Sequence, residues 1–167
     1  MNQEAQELIN NLELQAHPEG GYFKETYRSS ALISKDNLDS IFEGDRNLCT
    51  CIYFLLTSEA FSAFHRINQD EIWHFYKGAL VQLHLISPDG NYKVVTLGNN
   101  VINGEVPQFV VPGGYYFGAH LIQPDSYALF GCTVSPGFDF SDFQLPERSE
   151  LLKLFPQHSK IITLLTR

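Results

Sequence analysis

His65 and Glu71 are the two residues whose types and spacing point most directly to chemistry. An imidazole held beside a carboxylate titrates near neutrality and is a ready general base or hydrogen-bonding partner. They flank the turn Asn68-Gln69-Asp70. Strand alternation puts His65 with Ile67 on one face, and Glu71 with Trp73 and Phe75 on one face of the next strand. A short turn between the two strands predicts an antiparallel pair that aims His65 and Glu71 into one cavity. Trp73, Phe75, Tyr53 and Phe117 read either as ordinary core or as walls on which a sugar or base could stack. Glu25 and Tyr27 share a face with Phe23, so a strand facing inward would add a second carboxylate. Arg66 should point away from His65. His17, His84 and His158 have no partner visible in the sequence and read as surface residues. Cys49-x-Cys51 lacks a second ligand pair, so both thiols read as buried strand residues rather than metal ligands.

The elements that must position these groups are mostly strands. Residues 2–14 carry Ala5, Leu8, Ile9 and Leu12 at helical spacing, with Asn2 as cap. After Pro18 and Gly20-Gly21 the period becomes strand-like: 22–29, 48–56, 61–67, 71–77, 80–86, 92–97, 108–111, 115–121 and 127–134, with a partial strand over 138–143. Pro88-Asp89-Gly90 predicts a hairpin. Residues 34–47 read as loop. Pro146 and the apolar residues Leu151, Leu152, Leu154 and Phe155 return the chain to helix. About nine strands with a helix at each end describe an all-β barrel or jelly roll. It is expected to form one domain over 1–167, with the barrel at about 20–145 and helical segments at about 2–14 and 146–166.

Composition narrows the partners. Eleven basic and 19 acidic residues give a net charge of −8, and no basic stripe is present, so nucleic acid is not expected. No run approaches the ~20 apolar residues of a membrane helix. The acidic, polar N-terminus is unlike a secretory signal, and three cysteines cannot all pair. Both features suit a cytoplasmic protein.

His65, Glu71 and Gly78 sit at the offsets of the first cupin motif, with Ile67 in place of its second histidine. Pro112-Gly113-Gly114-Tyr115-Tyr116-Phe117 is similar to the second motif, with Phe117 in place of its histidine. The chain resembles the fifth cupin subfamily, a domain of unknown function, in His17-Pro18-Glu19-Gly20-Gly21-Tyr22, Glu25-Thr26-Tyr27-Arg28-Ser29, Asp70-Glu71-Ile72-Trp73-His74, Val111-Pro112 and the run from Gly131 to Phe140. The resemblance implies a single-domain cupin (a jelly-roll, double-stranded β-helix barrel) with short terminal helices, forming a homodimer.

In metal-binding cupins imidazoles and one carboxylate hold the ion. Here only His65 and Glu71 remain of that set, and alternation turns His74 and His120 outward unless a bulge intervenes, so no cofactor is expected. The expected function is binding of a small polar or carbohydrate-like molecule, with Glu25, Tyr27, Trp73, Phe75 and Phe117 around it. A first alternative is a sugar or sugar-nucleotide isomerase or epimerase, with His65 as base, Glu71 orienting it and Tyr53 or Tyr27 as acid. A second is a metal-dependent dioxygenase or isomerase using His65 and Glu71.

Overall fold

A computed structural model describes residues 2–167. Helix α1 (Gln3–Asn11) begins where the Asn2 side chain accepts from the Glu4 and Ala5 amides, the capping role its type favours. The strands follow as β1 (Gln15–Ala16), β2 (Tyr22–Arg28), β3 (Leu32–Ile33), β4 (Arg46–Asn47), β5 (Thr50–Thr57), β6 (Ser62–His65), β7 (Asp70–Gly78), β8 (Val81–Ile86), β9 (Tyr92–Leu97), β10 (Gln108–Val111), β11 (Tyr116–Leu121) and β12 (Tyr127–Ser135). Helices α2 (Arg148–Leu154) and α3 (Ser159–Leu164) close the chain.

Two antiparallel sheets face each other. One has the order β1-β2-β5-β12-β7-β10 and the other β6-β11-β8-β9, while β3 and β4 form a small separate ribbon. Large apolar side chains fill the space between them, among them Phe54, Leu83, Phe117 and Phe130. Helix α1 lays Ala5 and Ile9 on the outside of the larger sheet, against Leu55, Tyr127 and Leu129. Helices α2 and α3 cover the outside of the smaller sheet, packing Leu151 and Ile162 against Phe64, Ile86 and Tyr116. Covered on both faces, β6 is buried along its whole length. Strand β7, with one face half exposed, keeps the alternation that places Glu71, Trp73 and Phe75 inward.

The expected pairing of the strands bearing His65 and Glu71 is overturned. β6 pairs with β11, whereas β7 pairs with β12 and β10. The turn at 67–69 crosses from one sheet to the other, so the two residues meet across the sandwich rather than side by side. Residues 138–143 form no strand; their centre is a short 3-10 turn, Phe140–Asp142. The 34–47 stretch is not all loop, since it holds β4 and a 3-10 turn at Lys35–Asn37. Cys49 precedes β5 and Cys51 lies within it; both are half-buried rather than buried.

Three bulges interrupt the ladders, one of them at Tyr76 beyond the site-bearing half of β7; the other two bear on which side chains reach the interior. In β2, Glu25 pairs with Ile52 and Tyr27 with Cys51, so Thr26 is an extra residue. An extra residue reverses the alternation beyond it. β6 likewise spends one more residue than β11 between the pairs Phe117–His65 and Ala119–Ser62, which brings Ser62 and His65, three positions apart, to the same interior group. None of the described helices is long and apolar enough to cross a membrane.

Candidate functional site

A cavity of about 280 Å³ opens between the sheets, its walls drawn from β2, β5, β6, β7, β12, the β1–β2 loop and the 138–143 segment. His65, Glu71, Glu25 and Trp73 line it. The other candidates lie elsewhere. Tyr53 packs edge-on against Tyr76 and does not reach the cavity. Tyr27 is turned outward by the Thr26 bulge and is 54% exposed. Phe75 and Phe117 are core residues, and Phe117 backs the His65 ring at 4.1 Å. As alternation required, His74 and His120 stay outside the cavity, bonded to Thr133 Oγ1 and His84 respectively.

Glu19, absent from the sequence-derived candidates, is the centre of the site. The β1–β2 loop carries it inward on a backbone clamped from two sides: the Ala63 amide donates to the Glu19 carbonyl at 2.8 Å, and the Arg167 guanidinium donates to the Pro18 and Glu19 carbonyls. Gly20 follows with φ +114°, and a Cβ there would collide with the Phe61 carbonyl, so the loop depends on glycine. The Glu19 carboxyl accepts from Ser62 Oγ at 2.7 Å. Its other oxygen lies 3.0 Å from His65 Nε2 and 3.3 Å from His17 Nδ1.

The proton in this cluster can be placed by its partners. His65 Nδ1 is 2.7 Å from the Ala63 carbonyl. A carbonyl only accepts, so Nδ1 carries hydrogen and Nε2 of the neutral ring faces Glu19 as an acceptor. Glu19 and His65 therefore share one proton. Burial pushes the Glu19 carboxyl well above the usual range, the nearby Glu71 raising it further. Burial pulls His65 down to about 3 and His17 to about 4. Both shifts place the proton on Glu19 and leave the imidazoles neutral.

Glu71 sits in a second buried niche. Desolvation raises its carboxyl to about 7, offset in part by the Cys132 thiol and the Trp73 indole. The indole Nε1 is near that carboxyl yet completes no well-formed hydrogen bond. Cys132 itself is pushed well above a free thiol by burial and by Glu71.

The mouth is built from Arg28 and the 138–143 segment. The bulge at Thr26 brings Arg28 to the cavity, where it pairs bidentately with Glu25 at 2.9 and 2.8 Å. Asp142 anchors the segment: Arg46 grips it through two 2.7 Å bonds, and Gln69 and Asn68 donate to the same carboxylate. This buried, fully paired ion pair holds Phe138, Phe140 and Phe143 over the opening. His17 is ringed by Phe23, Phe140 and Phe143, so its reading as a surface residue is overturned.

His84 and His158 are corrected as well. His84 is buried between Tyr92, whose hydroxyl lies 2.6 Å from Nδ1, and a stacked His120. His158 is bonded to the Gly90 carbonyl. Only the His-Pro-Glu-Gly-Gly run hinted at Glu19 and His17, because a glycine pair beside a carboxylate can mark a loop that turns inward.

A two-sheet antiparallel barrel with a ligand-sized cavity between its sheets defines a jelly-roll protein. The chain belongs to the family described as Cupin superfamily (DUF985), which it matches over residues 6–146. It is 37% identical over 157 residues to the uncharacterized protein YML079W of Saccharomyces cerevisiae, covering 89% of this chain and 78% of that one. The structure of protein SO0799 from Shewanella oneidensis superposes with a TM-score of 0.88 at 38% identity, over 100% of this chain and 98% of that one. An oxalate decarboxylase from Bacillus subtilis, in its structure at pH 4.6, shares the fold alone, with a TM-score of 0.54 and 14% identity over 90% of this chain and 36% of that one.

Where metal-binding cupins place further ligands, this chain has Ile67 and Phe117, both buried and without a donor atom. Among the described residues no three His, Cys, Asp or Glu side chains are grouped to hold an ion.

Proposed function

We propose that the protein binds a small polar, carbohydrate-like molecule in the cavity. One observation carries the reading: a cavity of about 280 Å³, walled largely by apolar and aromatic side chains, ends on the buried Glu19, His65 and Glu71. Apolar walls with a few convergent polar groups characterise ligand pockets, and this one lies just below their usual range of about 300–1,000 Å³, enough for one ring. The reading needs no metal, since Ile67 and Phe117 offer no lone pair. Near-stoichiometric metal in protein purified without a metal-affinity tag would move it to metal chemistry. Trp73 is the chain's single tryptophan and lines the cavity, so its emission reports occupancy. Titration with a panel of monosaccharides and small polar rings should give a saturable change, lost in Ile52→Phe, which fills the wall. No saturable response and no thermal shift across the panel would refute the reading.

Proton transfer on the bound molecule is a second reading, favoured by the proton shared between Glu19 and His65 across from a carboxyl that titrates at about 7. Glu71 takes the part first given to Tyr53 or Tyr27, which face away. Solvent deuterium should exchange into a bound ligand in the wild type and not in Glu71→Gln that still binds it. The protein is further proposed to form a homodimer through the outer face of the larger sheet, where Tyr27 and Tyr76 are about half exposed. Light scattering should then read twice the 19.0 kDa chain mass.

A further inference from the structure

Resting on the reading of the cavity as a ligand site, we propose that its ligand is an organic cation, a small hydroxylated molecule with a protonated amine or quaternary ammonium group. The cavity is lined by four acidic side chains, Glu19, Glu25, Glu71 and Asp139, against one permanent cation, Arg28. Arg28 is already spoken for. It donates to both Glu25 oxygens, to Asn47 Oδ1 and to the Phe138 carbonyl, which uses four of its five N–H groups. His17 and His65 are held neutral by burial. Glu19 keeps its proton and Glu25 is neutralised by Arg28, so the negative charge here is that of Asp139, held ionised, and of Glu71 once it ionises near pH 7. A phosphate or carboxylate entering here meets those carboxylates and no free positive charge, an arrangement that disfavours it.

Two further observations point to the same class. Trp73, Phe138, Phe140 and Phe143 present aromatic rings around the opening and the wall, and the negative face of such a ring attracts a desolvated cation. The indole Nε1 of Trp73, on a side chain 1% exposed, completes no well-formed hydrogen bond, the Glu71 carboxyl being its nearby acceptor. A ligand hydroxyl that takes this N–H would leave the Glu71 carboxyl to meet a cation. Glu71 beside it can meet the ammonium group, with Glu19, Cys132 and His65 as its titratable neighbours and Glu25, Arg28, Asp139 and His17 completing the lining.

The test compares charge at constant shape, reading Trp73 emission together with ligand-observed NMR. One series is benzylamine, benzyl alcohol and benzoate; the other is choline against its uncharged tert-butyl isostere. The cationic member should bind at least about tenfold more tightly than its neutral partner, with benzoate not binding. Choline has no titrating group, so a several-fold gain in its affinity between about pH 6 and about pH 8 would report ionisation of Glu71, and Glu71→Gln should flatten it. Equal or tighter binding of benzoate or of the neutral isosteres overturns the charge assignment while leaving the cavity a small-molecule site. Failure of every member of both series to bind overturns the charge assignment and the ligand-site reading together.

Discussion

Replacing Glu71 by glutamine should change how stability depends on pH more than it changes stability at any one pH. In the folded chain the carboxyl keeps its proton up to about pH 7, against 4.5 for an unperturbed glutamate. Between those values the folded state binds more protons than the unfolded one, so the Glu71 contribution to stability falls as pH rises. At 1.36 kcal/mol per pH unit, the full loss is about 3 kcal/mol, complete by about pH 8. Glutamine mimics the protonated acid and carries no such slope.

Buried His17, His65 and His84 tilt the wild-type curve the other way at acid pH, because their imidazoles are held at about 4, 3 and 4. Their effect is common to both proteins and cancels in the difference. Urea unfolding of wild type and Glu71→Gln, followed by Trp73 emission from about pH 4 to about pH 8, should show the variant gaining about 3 kcal/mol relative to wild type. In melting temperature that is about 6–12 °C for a chain of this size. A difference that stays constant within about 0.5 kcal/mol over this range would refute the claim that Glu71 is held protonated by its surroundings.

Two further outcomes follow from the scaffold. Asp142→Ala strands the Arg46 guanidinium in a buried position and should cost about 3–5 kcal/mol in chemical denaturation. The double variant Arg46→Met, Asp142→Leu should cost less than the single one; a double variant that is worse would mean the segment is held by something other than this pair. Gly20→Ala forces a Cβ against the Phe61 carbonyl at a left-handed position and should cost about 1–3 kcal/mol. Gly114→Ala, at φ +78° but in open space, is the control and should cost about 1 kcal/mol; equal losses at the two sites would show that the close approach at Gly20 has no consequence.

What the sequence revealed depended on how locally each feature is encoded. Alternation along Glu71, Trp73 and Phe75 was readable because β7 has one buried face and one half-exposed face, and the Pro88-Asp89-Gly90 turn fixes the β8–β9 hairpin by itself. Asn2 caps α1 for a similarly local reason. The partition of β6 and β7 into different sheets was not readable, since a short turn serves a hairpin and a crossover equally well. Nor was the extra residue at Thr26, which sends Tyr27 out and Arg28 in with no signature in residue type. Glu19 escaped notice because a loop carboxylate is ordinarily solvated. What buries it is Ser62, His65 and the Arg167 clamp, more than forty residues away in each case.

That long reach has a consequence for how the molecule comes into being. His17 and Glu19 enter from the first loop, His65 and Glu71 from opposite sheets, Cys132 from β12 and Phe143 from the segment after it. No hairpin, sheet or fragment of the chain contains a working subset. Contacts of such sequence separation carry the loop-closure entropy of nearly the whole chain and form late. During synthesis or refolding, then, the capacity to bind should switch on in a single late step as the sheets close, well after most secondary structure has formed. A partly folded chain would look largely native in far-ultraviolet circular dichroism and still be blind to its ligand.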